Sequence, residues 1–234
     1  MSELATLEKK GEVSIITLND GKANVFSYPM LETIQNILAD IPKDKGSVII
    51  TGRDGMFSGG FDLKTFSSGD VDLIKNMSAL GFKTLFDLYT FPRPIIAAIS
   101  GHAVALGIFV VCCCDYRIGI NGEFVVQANE VRNNMDIPTP IMEIAASRVD
   151  KQHIYRALFH GDPYKMIDAV SAGWIDEVVN HEDLMKRAME KAEDLATLGH
   201  PMYQKTKEVF QASIVEKIKA TLPKPSDNPN FVSV

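Results

Sequence analysis

Gly55-Met56-Phe57-Ser58-Gly59-Gly60-Phe61-Asp62-Leu63-Lys64 is the stretch on which the fold assignment turns. It follows a β-branched run, Ser47–Thr51, and packs three glycines and a serine into a turn. Glycine reaches backbone dihedrals that other residues avoid, so such a turn can aim several N–H groups at one oxygen atom. Taken alone it is weak evidence, because most Gly-Gly turns only reverse the chain. A second turn, Ser100-Gly101-His102-Ala103-Val104-Ala105-Leu106-Gly107, adds weight, since it too follows a strand and opens a helix.

Around these turns, strand and helix patterns alternate. Glu12–Leu18 is apolar on both faces and reads as a strand buried on both sides. Asn19-Asp20-Gly21 is turn chemistry. Ser27 caps a helix with Pro29 in its first turn, and Met30, Ile34, Ile37, Leu38 and Ile41 fit helical spacing. Ser47–Thr51 is a second strand. Leu73 to Leu88 is an amphipathic helix with Gly81 as a weak point, ended by Pro92-Arg93-Pro94. Pro94–Ser100 reads as a strand and Ala105–Cys114 as a buried helix. Tyr116–Ile120 and Glu123–Val126 read as short strands around an Asn121-Gly122 turn.

After residue 127 the strand signals stop. Val131–Pro140 reads as a loop or short helical turn. Ile141–Val149, Lys151–Leu158 and Tyr164–Ala172 read as short helices, and Glu182–Leu198 and Pro201–Ala220 as longer ones, before a tail rich in Pro, Asp and Asn. This order implies an α/β body, residues 1–180, followed by a C-terminal helical region, residues 181–234.

Composition limits the possible partners. The chain has 234 residues, 46% hydrophobic and 23% charged, enough for one sizeable core. The net charge is −6 and no basic stripe is visible, which argues against nucleic acid. An anionic ligand would depend on local lysines such as Lys22 and Lys64. The consecutive Cys112-Cys113-Cys114 point about 100° apart on a helix, so they are poorly placed to pair or share a metal. They read as small buried hydrophobes, in keeping with a reducing compartment and a cytoplasmic location. Met1-Ser2-Glu3-Leu4 shows no basic segment followed by an apolar one, so no signal peptide is expected. Pro94–Cys114 is uncharged and long enough to span a bilayer, but Ser100-Gly101-His102 interrupts it and Pro94–Ile99 reads as a strand, so no membrane span is expected.

Each Gly turn sets a backbone N–H at a strand-to-helix junction, where the helix N-terminus adds partial positive charge. Two such donors facing one point stabilise an oxyanion. A thioester carbonyl becomes one when its α-carbon loses a proton, which needs a dry site and a base but no metal.

Here the chain resembles the crotonase (enoyl-CoA hydratase/isomerase) superfamily. The resemblance lies in Met56–Lys64, in Gly101-His102-Ala103 through Gly107, in Cys114-Asp115-Tyr116-Arg117-Ile118 and in Asn129-Glu130-Val131. Weaker matches are Asn19 to Ser27 and Ala172-Gly173-Trp174-Ile175-Asp176-Glu177-Val178-Val179, so that roughly residues 10 to 215 are covered. The resemblance implies a spiral of ββα units with a helical C-terminal region, assembled as homotrimers or dimers of trimers. It implies an acyl-CoA thioester as substrate, with no separate cofactor. The thioester oxygen would lie between the N–H groups of Phe61 and Leu106. Ser58, Gly60, Asp62, Leu63 and Lys64 would lie along the CoA arm, and Lys22, Ala23 and Val25 near its nucleotide end.

The acid/base positions narrow the activity. Hydrating members of the superfamily carry two glutamates, and the first of those positions is Phe109 here, whose ring cannot accept a proton. The second falls at or beside Glu130, with Pro138 eight residues later. That spacing resembles the Δ3,Δ2-enoyl-CoA isomerase branch, which works with one glutamate. The alternatives are a hydratase or a non-catalytic acyl-CoA binder. Relatives carry small or apolar residues and a glycine where this chain has Arg132-Asn133-Asn134-Met135-Asp136. Asn134 can take the glycine's place, since Asn tolerates left-handed dihedrals. Arg132 and Asp136 face solvent, or mark a polar acyl group or a lost activity. Asp62 is expected to cap a helix, Asp115 to bond a strand edge, and His102, Phe109 and Trp174 to be structural.

Overall fold

The computed structural model describes residues 4–222. The chain steps between two sheets, and each step leaves a helix behind. β1 (Ala5–Lys10) and β2 (Val13–Leu18) form an antiparallel pair, followed by α1 (Tyr28–Asp40). β3 (Ser47–Thr51) stays beside β2, while β4 (Gly55–Ser58) crosses to the second sheet before α2 (Leu63–Ser67) and α3 (Val71–Tyr89). β5 (Ile95–Ile99), β6 (Gly101–Val104) and α4 (Leu106–Cys113) repeat the step, and β7 (Tyr116–Ile120), β8 (Val125–Gln127) and α5 (Thr139–Ala146) repeat it again. After α5 come β9 (Tyr164–Lys165), α6 (Met166–Ser171), β10 (Glu177–Val179), α7 (Leu184–Ala196) and α8 (His200–Thr221). The six-stranded sheet has the order β1-β2-β3-β5-β7-β10, and the four-stranded sheet β4-β6-β8-β9.

Strand chemistry accounts for this arrangement. The central strands β3 and β5 are buried throughout, as their Ile-rich sequences require. One sheet face packs against α7, where Leu184, Ala188 and Ala192 meet Val13, Ile15, Ile49, Ile96, Ala98, Ile118 and Ile120. Beyond residue 180 the described chain is helical, and α8 is tied back by a bond from Gln211 Nε2 to the Tyr89 carbonyl (2.9 Å). Met1–Glu3 and the Pro/Asp/Asn-rich tail lie outside the described residues.

Several local readings change. The first halves of both Gly turns are strands: β4 pairs with β6 through Gly55 and Gly101, so closely that a Cβ on Gly101 would lie 1.9 Å from the Gly55 carbonyl carbon. Asn121-Gly122 is not a hairpin, because β7 and β8 belong to different sheets and the turn is the corner between them. Strands also continue past residue 127, where β9 and β10 are too short to show an alternation. β1 was hidden by its polar, half-exposed sequence ATLEKK. Pro94–Cys114 divides into β5, β6 and α4, and no described helix is long and apolar enough to cross a membrane.

Candidate active site

β4, β6 and β8 run parallel, so their C-terminal ends lie at one edge of the four-stranded sheet. Ligands of parallel α/β sheets gather at such an edge. Just beyond these ends lie Gly60 and Phe61, then Ala105 and Leu106, then Asn129 and Glu130. Sheet topology thus brings three segments, distant in sequence, to one place.

The first two segments touch. Gly60 has φ +89°, and a Cβ there would lie 2.6 Å from Ala105 Cβ and 3.0 Å from Leu106 N. Only glycine allows this approach, which sets the peptide leading to Phe61 beside the start of α4. Leu106 is the first residue of α4, so its N–H has no acceptor within the helix. Ala105 holds φ 49°, ψ −131°, outside the favoured regions for a residue with a side chain, while its N–H donates to the Gln127 carbonyl (2.9 Å). The Phe61 ring lies edge-on to Phe66 (5.8 Å) and Phe82 (6.3 Å). It also lies over Gly81 of α3, where an added Cβ would meet two ring carbons at 2.5 Å.

A second loop braces the first. Gly59 N–H donates to the Ala23 carbonyl and Phe26 N–H to the Gly60 carbonyl, each at 2.8 Å. The Ser58 hydroxyl donates to the Asn24 carbonyl (2.7 Å) and accepts from Gly60 N–H (3.1 Å). Ser58 is fully buried, so it fixes the loop that a ligand would meet and does not itself line the edge. Asn24, at φ 48°, sends its amide to the carbonyls of Leu18, Met56 and Phe57. Asp20 accepts from the N–H groups of Lys22, Asn24 and Val25. Desolvation pushes the Asp20 carboxyl up, but these bonds outweigh it and hold the pKa below the ordinary value. Asp62 caps α2, accepting from Lys64 N–H and the Thr65 hydroxyl, both at 3.1 Å. Lys22, Leu63 and Lys64 are exposed on this rim, while Ala23 and Val25 are half-buried.

The third segment carries the carboxyl. Glu130 is only 6% exposed, and its Oε2 is buried with no hydrogen-bond partner in the protein. Burial pushes its pKa up from 4.5 to about 7. A short 3₁₀ turn, Val131–Asn133, begins at Glu130, whose carbonyl accepts from Asn133 N–H and Met135 N–H. Asn134 closes the turn in the left-handed region, φ 58° and ψ 36°, as expected of a glycine substitute. Arg132 turns outward: its Nε donates to the Gly161 carbonyl (2.7 Å) and its other end pairs with Asp162. Asp136 is exposed.

A model of the enoyl-CoA hydratase/isomerase family matches residues 8–227. The chain belongs to this family, within the crotonase superfamily. It is 30% identical over 213 residues to a probable mitochondrial enoyl-CoA hydratase of Dictyostelium discoideum, covering 89% of this chain and 76% of that protein. It is also 30% identical over 202 residues to enoyl-CoA delta isomerase 3 of Arabidopsis thaliana, covering 82% and 85%. Among solved structures, an enoyl-CoA hydratase/isomerase family protein from Pseudomonas syringae superposes with a TM-score of 0.91 at 31% identity, covering 99% of each chain.

In this crotonase-family member Phe109 is fully buried within α4 and offers no proton acceptor. His102 accepts from Val125 N–H (3.2 Å) and lies edge-on to Phe124, a structural placement. Asp115 accepts from Ile95 N–H at 2.8 Å, as expected of a strand-edge bonder. No group of three or more His, Cys, Asp or Glu residues forms a metal-binding cluster among the described residues. Three features of the site escaped the reading of the sequence. Asn129 Oδ1 is a second buried oxygen without a partner, although Asn129 stood within the quoted Asn-Glu motif. The strain at Ala105 has no sequence signal. Gly81, which looked like a flaw in a helix, makes room for the Phe61 ring.

Proposed function

We propose that this family member isomerises a 3-enoyl-CoA to the 2-enoyl-CoA, with Glu130 as its single base. The observation that carries this reading is the buried Glu130 carboxyl beyond the end of β8, its Oε2 without a hydrogen-bond partner in the protein, while Phe109 occupies the other acid/base position. Desolvation brings the Glu130 pKa to about 7, suited to taking a proton and returning it near neutral pH. Glu130 removes the proton on C2, and the electron pair moves onto the thioester oxygen through a C1–C2 enolate. The N–H groups of Phe61 and Leu106 hold that oxygen. As the enolate collapses, the double bond moves to C2–C3 and Glu130 returns the proton to C4. No atoms are gained or lost.

Lys22, Ala23 and Val25 with Asp62, Leu63 and Lys64 form the rim along which the CoA arm lies, and the buried Gly60 shapes the loop behind it. The exposed Lys22 and Lys64 supply the positive charge that a net-acidic chain otherwise lacks. Exposed Met202, Val209 and Phe210 on α8 support assembly into a trimer or a pair of trimers. The buried cysteines support a reducing, cytoplasmic setting.

The test is turnover of a panel of 3-enoyl-CoA thioesters. Glu130→Gln is expected to lower kcat by about 10²- to 10⁴-fold while the protein stays folded. Full activity in that variant would remove Glu130 from the mechanism. Hydration of 2-enoyl-CoA at rates matching isomerisation would overturn the single-base reading.

A further inference from the structure

We propose that Gly81 is a positioning residue that sets the two oxyanion-holding N–H groups from the far side of α3. The inference rests on the reading of Phe61 and Leu106 given above. Gly81 sits mid-way along α3, at a buried position where nothing in helix chemistry calls for glycine, since alanine is the better helix former. An added Cβ would press on Phe61 Cε1 and Cζ at 2.5 Å and meet Leu106 Cδ2 at 3.6 Å. A side chain at this position would therefore meet the side chains of both residues whose backbone holds the oxygen.

The Phe61 ring cannot easily move aside. Phe66 and Phe82 flank it edge-on, and the backbone at Gly60 is pinned by Phe26 N–H on one side and pressed against Ala105 on the other. A methyl group at position 81 would be relieved by shifting the ring, and with it the Phe61 peptide. Loss of a whole oxyanion donor lowers kcat by about 10²- to 10³-fold, so a partial displacement of one donor is expected to cost about 10- to 100-fold. Ground-state binding of CoA, which depends on the rim, should change little.

The experiment is a double-mutant cycle with Gly81→Ala, Phe61→Ala and the pair, read in two ways. One readout is isomerase kcat and KM. The other is the near-ultraviolet absorbance of bound acetoacetyl-CoA enolate, which needs no turnover. G81A should lower kcat by at least about 10-fold with KM within about threefold, and lower the enolate absorbance. The pair should fall no further than F61A alone, because the clash is then absent. Wild-type kcat and absorbance in G81A would overturn the proposal, and so would losses that multiply in the pair. If wild type binds the enolate but isomerises no 3-enoyl-CoA, the proposed reaction fails while the positioning role is still decided by the absorbance. Should G81A not fold, Phe61→Leu tests the contact from the ring side: a severalfold loss of absorbance supports it, and no change overturns it.

Discussion

Burial of Glu130 makes both catalysis and stability depend on pH. Its pKa lies near 7 in the folded chain against an ordinary 4.5, so the native state holds its proton more tightly than the unfolded state. The stability it allows is complete below about pH 4.5 and declines as pH rises toward 7. The difference is on the order of 3 kcal/mol. Urea unfolding of wild type and Glu130→Gln between pH 4.5 and 8 should show wild type losing about this much relative to the variant; parallel curves would contradict it. Activity runs the opposite way. The base must be ionised, so kcat/KM should rise with pH through about 7, and a flat kcat/KM profile from pH 5 to 9 would count against Glu130.

At the scale of elements, the glycines at the sheet edge set what can be substituted. Gly60→Ala introduces a Cβ at φ +89° and 2.6 Å from Ala105 Cβ. It should destabilise the chain by about 2 kcal/mol or more and reduce activity, measured by thermal unfolding and turnover. Most elements could be read from their sequence because burial left an apolar signature, helical spacing in α1 and continuous apolar runs in β2, β3, β5 and α4, and these lie where their apolar residues indicated. The caps at Ser27 and Asp62 were legible because capping depends only on a local side-chain oxygen that accepts from the first helical N–H groups. What escaped was decided by tertiary contact. β4 and β6 looked like turns because Gly55 holds a positive φ of +76° and close backbone approach demands glycine at Gly101. β9 and β10 exist only because a neighbouring strand accepts them. The site was legible in its motif residues but not in its geometry. Nothing in the sequence places Gly81 under Phe61, or leaves Glu130 Oε2 without a partner.

At the scale of the molecule, the long returns of the chain are fastened by few, well-shielded groups. Arg117 on β7 pairs with Asp176 just before β10 (2.8 Å) and also donates to the carbonyls of Gly173 and Trp174. This joins two segments nearly sixty residues apart. Asp176→Ala would leave a buried guanidinium short of its counter-charge, and a loss of about 2–4 kcal/mol is expected in denaturant melts. The same shielding governs the three cysteines of α4. All are fully buried, and desolvation raises the Cys112 thiol to about 11 and Cys113 well above its ordinary value. Thiolate is the reactive form, so maleimides and disulfide reagents should find nothing to attack in the native protein. The wild-type chain can therefore serve as its own cysteine-free background. A single engineered surface thiol could be labelled selectively, and the slow labelling of the native three would clock each global opening of the core.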